Sequence, residues 1–284
     1  MNTVLEILRK TTDFFKKVGV PNPRLDAEYL IAHGLLMKRM DLYLNFDKPL
    51  SAKELDVLRP LVARRAKREP LQHIVGSTSF RGHEILCDKR ALIPRPETEM
   101  LIDMVKEKRP NAEPIKIADI GTGTGAIAIA LAKELENVQV FACDISEDAL
   151  ALARENVKLN MCDNTVQLYE GNLLEALPDA ELPLDFLIAN LPYIPESDKA
   201  KLQAEVLFDP PLALFGGSDG LVLIRELLNR TKGKLKSGAT IFLEIASGQE
   251  ILLEKESAMY SHLQFVQAHK DFYDAMRFVE FQVK

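Results

Sequence analysis

Several things that would mark a membrane, secreted or metal-binding protein are missing from this sequence. Its uncharged apolar runs are short: Ala126 to Ala132 falls far below the ~20 residues a membrane-spanning helix needs. The N-terminus lacks the basic-then-apolar pattern of a secretory signal, so a soluble, cytoplasmic protein is expected. Cysteine is scarce. Cys87, Cys143 and Cys162 are an odd number at no metal-ligand spacing, which argues against both a disulfide scaffold and a zinc site. His33, His73, His83, His262 and His269 are equally scattered, so packing or surface roles are expected for them rather than metal binding or catalysis. Internal repeats and low-complexity tracts are absent as well. What is present is an ordinary globular composition of 284 residues, 47% hydrophobic and 27% charged, with 14 glycines and 15 prolines. Single cores stop growing at about 250 to 300 residues, so two unequal domains are expected.

Charge is unevenly spread. Residues 1–75 carry 14 Lys and Arg against 9 Asp and Glu, a net +5, and residues 76–284 carry 22 against 33, a net −11. The basic excess gathers at Arg59, Arg64, Arg65, Lys67 and Arg68. This cluster suits RNA or an acidic protein surface, although a solvated helix face is the simpler reading.

The first 70 or so residues read as a small helical bundle. Val4, Ile7, Leu8, Thr11, Phe14, Phe15 and Val18 recur at helical spacing, and residues 26–36 and 52–67 repeat the pattern. Ser51 with Glu54 forms a capping-box signature ahead of the last of these. From His73 onward the residues suit a β-hairpin turning at Arg81-Gly82. A helix over 99–108 precedes alternating strands and helices: strands over 115–120, 138–143, 165–169 and 186–189, and helices over 126–136 and 147–160. Such alternation predicts an α/β domain built on a mostly parallel sheet. A helix over 220–235 and a strand over 240–245 follow. The runs 264–268 and 277–283 are expected to pair antiparallel at one edge.

The strand over 115–120 runs into Gly121, Thr122, Gly123, Thr124 and Gly125, then a helix of small residues. Glycines there permit a tight turn and close backbone approach to a ligand at a helix N-terminus. The spacing is not that of a dinucleotide fingerprint, and no Lys-Ser/Thr pair marks a phosphate loop. Asp119 stands two before the first glycine and Asp144 ends the next strand. These suit a ligand with a ribose and an amino-acid tail, because Asp144 can accept from both ribose hydroxyls. S-adenosylmethionine has that anatomy, and S-adenosylhomocysteine is its product. A turn shaped only for tight packing is the alternative reading of the glycines.

Asn190, Leu191, Pro192 and Tyr193 follow the strand over 186–189, at the end of an open α/β sheet where ligands bind. Methylating an amide or aromatic amine is hard because the nitrogen lone pair is delocalised. The site must draw the N–H bonds to acceptors and turn the lone pair toward the methyl donor. The Asn190 side-chain oxygen and a backbone carbonyl here can be those acceptors, with Tyr193 stacked on the flat target group. A Pro turn with Tyr193 as packing is the plainer alternative.

The glycine loop, Asp144 and Asn190–Tyr193 together resemble class I S-adenosylmethionine-dependent methyltransferases that modify planar nitrogens. Three further stretches, Gln72–Phe80, Leu92–Glu99 and Asp209–Leu221, resemble the bacterial peptide chain release factor glutamine methyltransferases of the HemK/PrmC type. That resemblance implies a Rossmann-like methyltransferase domain (93–284) with an antiparallel edge strand, preceded by a helical substrate-docking domain (1–72) and a hairpin linker (73–92). It implies transfer of a methyl group from S-adenosylmethionine to the glutamine of the Gly-Gly-Gln loop of class I release factors, giving N5-methylglutamine. Asp119, Gly121–Gly125, Asp144, Asn172, Leu173 and Asn190 are then expected at the methyl donor. Asn190, Leu191, Pro192 and Tyr193 are expected at the glutamine, with Asn190, Pro192 and Tyr193 carrying the catalysis.

Three positions depart from the family pattern. Leu191 stands where the first proline of Asn-Pro-Pro-Tyr is usual, giving the form familiar in ribosomal RNA adenine dimethyltransferases. Asn172 replaces a common acidic residue, and Ala246 a common glycine. An RNA or DNA adenine-amino methyltransferase is therefore the competing reading, and a binding module without turnover a third. The net −11 fits poorly with a phosphate backbone, so no sequence-specific nucleic-acid partner is expected. A monomer that touches neither membrane nor metal is expected. Arg95, Glu97 and Thr98 either shape the substrate channel or form a proline-framed helix start. Phe80 either lines the target pocket or belongs to the hairpin core.

Overall fold

In the computed structural model, which describes residues 2–109 and 113–284, the chain divides into two units. The first comprises Met1–Ser77 and Gln203–Phe208. Its helices are α1 (Val4–Lys17), α2 (Pro23–Gly34), α3 (Asp41–Leu44), α4 (Ala52–Ala66) and α5 (Leu71–Val75). Capping boxes open α1 and α4: the Thr3 and Ser51 hydroxyls accept from the N–H of Glu6 and Glu54, whose carboxylates accept in return from the cap backbone. Pro23, which has no N–H to lose in a first turn, starts α2 three residues before the expected Asp26. Val4, Leu8, Thr11 and Phe15 form the buried stripe of α1. Phe14 and Val18, expected on that face, are 43% and 37% exposed, because at about 100° per residue they fall beside the stripe. His73 and Ile74 belong to α5 rather than to the hairpin, and Gly76, at φ 85°, closes that turn.

The basic cluster divides: Arg59, Arg64 and Lys67 are exposed, as a solvated helix face requires, whereas Arg65 is withdrawn from water. Arg65 is buried and gives Nε to Asp26 Oδ2 (2.7 Å) and Nη2 to Glu205 Oε1 (2.9 Å). Arg68 also pairs with Glu205, Arg64 with Glu69 and Arg59 with Asp56. Acidic partners in the same unit thus pair with Arg59, Arg64, Arg65 and Arg68.

The second unit, Thr78–Leu202 and Asp209–Lys284, opens on the hairpin of β1 (Ser77–Phe80) and β2 (His83–Leu86). Arg81 and Gly82 both have positive φ at its turn, as a tight hairpin requires. There follow α6 (Met100–Lys108), β3 (Ile115–Ile120), α7 (Ala126–Glu134), β4 (Val138–Asp144), α8 (Glu147–Leu159), β5 (Val166–Glu170) and β6 (Leu184–Ala189). The chain closes with α9 (Val222–Arg230), β7 (Leu235–Glu244), α10 (Gln249–Glu256), β8 (Leu263–Lys270) and β9 (Met276–Val283). Seven strands form one sheet in the order β5-β4-β3-β6-β7-β9-β8, parallel from β5 to β7, with β9 antiparallel to both its neighbours. This is the α/β architecture with an antiparallel edge that the alternation predicts. Helix α7 is buried over Ala126–Leu131, which explains its nearly uniform apolar sequence.

Two elements depart from expectation. Helix α9 is shorter than 220–235, because Gly220 sits at φ 78° in the preceding loop and Leu235 already belongs to β7. Helix α10 lacks the apolar spacing that reveals a helix: Ile251 and Leu252 are exposed and Leu253 alone of the three is buried. Among the described residues, no helix is long and apolar enough to cross a membrane.

The register positions the chemistry. Ile120 pairs with Cys143 on one side and Ala189 on the other, so Gly121, Asp144 and Asn190 emerge side by side at one end of the sheet. Ala189 in turn pairs with Leu243, which brings Glu244 level with Asn190.

Candidate active site

A cleft open to solvent lies at that end of the sheet. The glycine loop forms one wall. Gly121, Gly123 and Gly125 have φ of 74°, 56° and 81°, a region that residues with a Cβ rarely adopt. The N–H groups of Gly121 and Thr122 both donate to Cys143 O, and a Cβ on Gly121 would lie 2.9 Å from Leu191 Cδ2. Leu191, in place of the usual proline, therefore packs directly over the loop. Asn156 on α8 secures this wall from behind, donating Nδ2 to Leu86 O and Thr124 O and accepting from Leu86 N–H.

Asp144 holds the loop and keeps acceptor capacity to spare. Its Oδ2 accepts from Gly123 N–H (2.9 Å) and its Oδ1 from Ser146 N–H (2.9 Å). Burial raises its pKa, and the backbone N–H groups oppose that shift. Each oxygen retains a lone pair, the donor-poor arrangement that two ribose hydroxyls require.

Asn190, Leu191 and Pro192 form the facing side of the cleft together with Thr98. Asn190 Nδ2 donates to Thr98 Oγ1 (3.2 Å), and Thr98 Oγ1 donates to Glu244 Oε2 (2.7 Å). The Tyr193 hydroxyl donates to Glu244 Oε1 (3.2 Å). Glu244 is 1% exposed, and burial lifts its carboxyl to about 7 against the opposing pull of Thr98, Tyr193 and Arg277. The loop before α9 braces this segment: Gln249 Nε2 donates to Tyr193 O and Asp219 O, and Gly216 N–H donates to Ile194 O.

Of the residues expected at the site, Phe80, Gly121, Thr122, Gly123, Thr124, Asp144, Asn172, Leu173 and Asn190–Pro192 line the cleft. Four others do not reach its surface. Asp119 is fully buried behind the loop, where it accepts from Thr122 Oγ1 (2.7 Å) and burial pushes it up to about 7. Gly125 caps α7, with its N–H donating to Thr122 O. Tyr193 packs against the hydrophobic core, its hydroxyl bound to Glu244 rather than presented for stacking. Arg95 gives Nη2 to Asp209 Oδ2 (3.1 Å), tying the strand-to-helix segment around Pro94 to the Asp-Pro-Pro turn. Asn172 gives Nδ2 to Glu226 Oε1 (3.3 Å), while Leu173 holds φ 53°, a strained value for a residue with a Cβ. Thr98, whose role the sequence leaves open, is in the cleft wall. Glu244 and the rim residues Pro210, Leu212 and Ala213 were not anticipated. The signal for Glu244 was available: it is the charged member of the apolar run 241–245.

Residues 6–76 match the family described as PrmC N-terminal domain, and residues 96–217 match the methyltransferase small domain. A release factor glutamine methyltransferase from Geobacter sulfurreducens is 41% identical over 248 residues, covering 87% of this chain and 85% of that protein. One from Rhodopirellula baltica is 37% identical over 272 residues, covering 93% and 92%. Among solved structures, the hMettl16 catalytic domain in complex with MAT2A 3′UTR hairpin 6 superposes with a TM-score of 0.59 over 78% of this chain and 81% of that one. At 17% identity that likeness concerns the fold alone.

Proposed function

Because the chain belongs to the release factor glutamine methyltransferases, we propose a division of labour among the cleft residues for methylating a glutamine side-chain amide. The enzyme transfers a methyl group from S-adenosylmethionine to the glutamine of the Gly-Gly-Gln motif in release factors, giving N5-methylglutamine. The adenine-amino alternative is not favoured, since relatives at 37–41% identity over most of the chain carry the glutamine activity in their names. The observation that carries the reading is the side-by-side emergence of Gly121, Asp144 and Asn190 from three adjacent parallel strands.

S-adenosylmethionine, when bound, supplies a methyl group on a sulfonium that needs no further activation. The loop 121–125 receives it on bare backbone, Asp144 accepts from the ribose hydroxyls, and Asn172 and Leu173 complete that side. Asn190 Oδ1 and a carbonyl of Leu191 or Pro192 accept from the two N–H bonds of the glutamine amide. Held this way, the nitrogen lone pair turns toward the sulfonium; the N–C bond forms as the S–C bond breaks to leave S-adenosylhomocysteine, and one amide proton passes to solvent, so catalysis is positioning rather than proton abstraction ahead of transfer. Phe80 and Leu191 shape the pocket around the flat amide. Arg95 and Tyr193 act by bracing the walls, through Asp209 and Glu244. We assign docking of class I release factors to the N-terminal helices, and monomeric action in the cytoplasm.

The direct test is mass spectrometry of the Gly-Gly-Gln peptide from a recombinant release factor after incubation with the protein and S-adenosylmethionine. One added methyl on glutamine is the expected result; transfer only to structured RNA would reverse the reading. For the donor side, Asp144→Asn replaces a charged acceptor with an amide that must turn a donor toward Gly123 N–H or Ser146 N–H. Hydrogen bonds to a charged group contribute about 1.5–3 kcal/mol each, so S-adenosylhomocysteine binding is expected to weaken by about 10- to 100-fold, read by calorimetry.

A further inference from the structure

Resting on the reading above and deepening it, we infer that Glu244 is a positioning residue for Asn190: acting through Thr98, it dictates which end of the Asn190 carboxamide is left for the substrate. A carboxamide is nearly symmetric in shape, and either end can meet a hydroxyl. The choice between them is one of hydrogen-bond polarity. An ionised carboxylate only accepts, and a threonine hydroxyl has a single proton to give. Thr98 gives that proton to Glu244 Oε2 at 2.7 Å, so toward Asn190 it can only accept. Asn190 must then turn its NH₂ to Thr98, as the 3.2 Å Nδ2 contact records, which leaves Oδ1 as the free end. Oδ1 is the atom that accepts from the glutamine amide.

The placement of Glu244 supports this role. It ends β7 one residue beyond the Ala189–Leu243 pair, level with Asn190, and is buried although the run around it is apolar. A buried carboxylate is costly unless its partners compensate. The groups that face it are Thr98 and Tyr193 by hydrogen bond, Arg277 of β9 by attraction and Glu97 of the turn before α6 by repulsion. A protonated Glu244 has a hydrogen of its own to offer Thr98. Thr98 would then donate to Asn190 and capture Oδ1, so acid should disarm the amide acceptor; Asp119 behind the donor loop is lifted to about 7 as well, so donor affinity has to be followed at each pH.

The test compares wild type, Glu244→Leu, Thr98→Val and Thr98→Ser across about pH 6 to 9, measuring kcat/KM for the release factor and Kd for S-adenosylhomocysteine. Glu244→Leu, which removes the acceptor and frees the Thr98 proton, and Thr98→Val are expected to lower kcat/KM by about 10- to 100-fold, the usual cost of misplacing a positioning group, with Kd within about threefold of wild type. Thr98→Ser keeps the hydroxyl and is expected to return most of the loss. The wild-type rate is expected to fall on the acid side by more than any change in Kd, and Glu244→Leu to lose that excess. Wild-type rates in both disabled variants, or losses matched by equal losses in donor affinity, would overturn the inference. A substrate-free readout separates it from the functional reading: the Asn190 side-chain NH₂ resonance should shift in both disabled variants. An unmoved resonance refutes the relay, whereas a moved one with no methylation by wild type refutes the assigned reaction and leaves the relay standing.

Discussion

Replacing Asn190 with alanine is expected to lower kcat for methylation of a release factor by about 100- to 1,000-fold, the range seen when one preorganised polar group is removed from a site that works by electrostatic positioning. Donor affinity is expected to fall by less than about tenfold, because the loop 121–125 and Asp144 are untouched. The reason is specific to this nitrogen. An amide lone pair is delocalised into its carbonyl, and transfer from a sulfonium needs no strongly perturbed base once the two groups are in line. Holding the two N–H bonds is therefore the main lever available, and Asn190 Oδ1 is one of two acceptors. Single-turnover mass spectrometry at saturating donor reads the effect directly; a rate within tenfold of wild type would remove Asn190 from the mechanism.

The second large effect is expected at a residue outside the cleft lining. A Cβ on Gly220 would lie 2.0 Å from Tyr193 O and 2.6 Å from Gln249 Nε2, and the residue sits at φ 78°. Gly220→Ala therefore forces apart the loop and the backbone of Asn190–Tyr193, and breaks the Gln249 bond to Tyr193 O. Overpacking of this kind costs about 1–3 kcal/mol, with a further ~1–2 kcal/mol for the left-handed conformation. The expected outcome is a fall of at least about 100-fold in kcat/KM with a lowered Tm, since displacing a catalytic segment by about 1 Å has that consequence. Gly233→Ala is the matched control: φ is 75° there but a Cβ meets nothing within 4 Å, so only the conformational term applies. Equal activity in the two variants would show that the loop does not set the geometry of Asn190–Tyr193.

Much of the second unit was readable along the chain because its signals are local. The apolar runs of β3, β4 and β6, the glycines after β3 and the acidic end of β4 are all written within a few residues of each other. A parallel sheet then brings such strand ends together without further information. The capping box at Ser51 belongs to the same class. Helix α10 escaped because its burial rests on Leu253 and Gln249 rather than on a periodic apolar face.

The site divides along the same line. Sequence alone marks Gly121–Gly125, Asp144 and Asn190, because positive φ, a strand-end carboxylate and an amide acceptor are properties of single residues in fixed local settings. It does not show that Tyr193 turns its hydroxyl to Glu244, that Arg95 spends its charge on Asp209, or that Arg65 is buried against Asp26 and Glu205. Those outcomes depend on partners 39 to 140 residues away and on which polar groups the fold removes from water. A side chain's chemistry is fixed by its own atoms, but its hydrogen-bond partner and ionisation depend on burial, and burial is decided when distant segments pack.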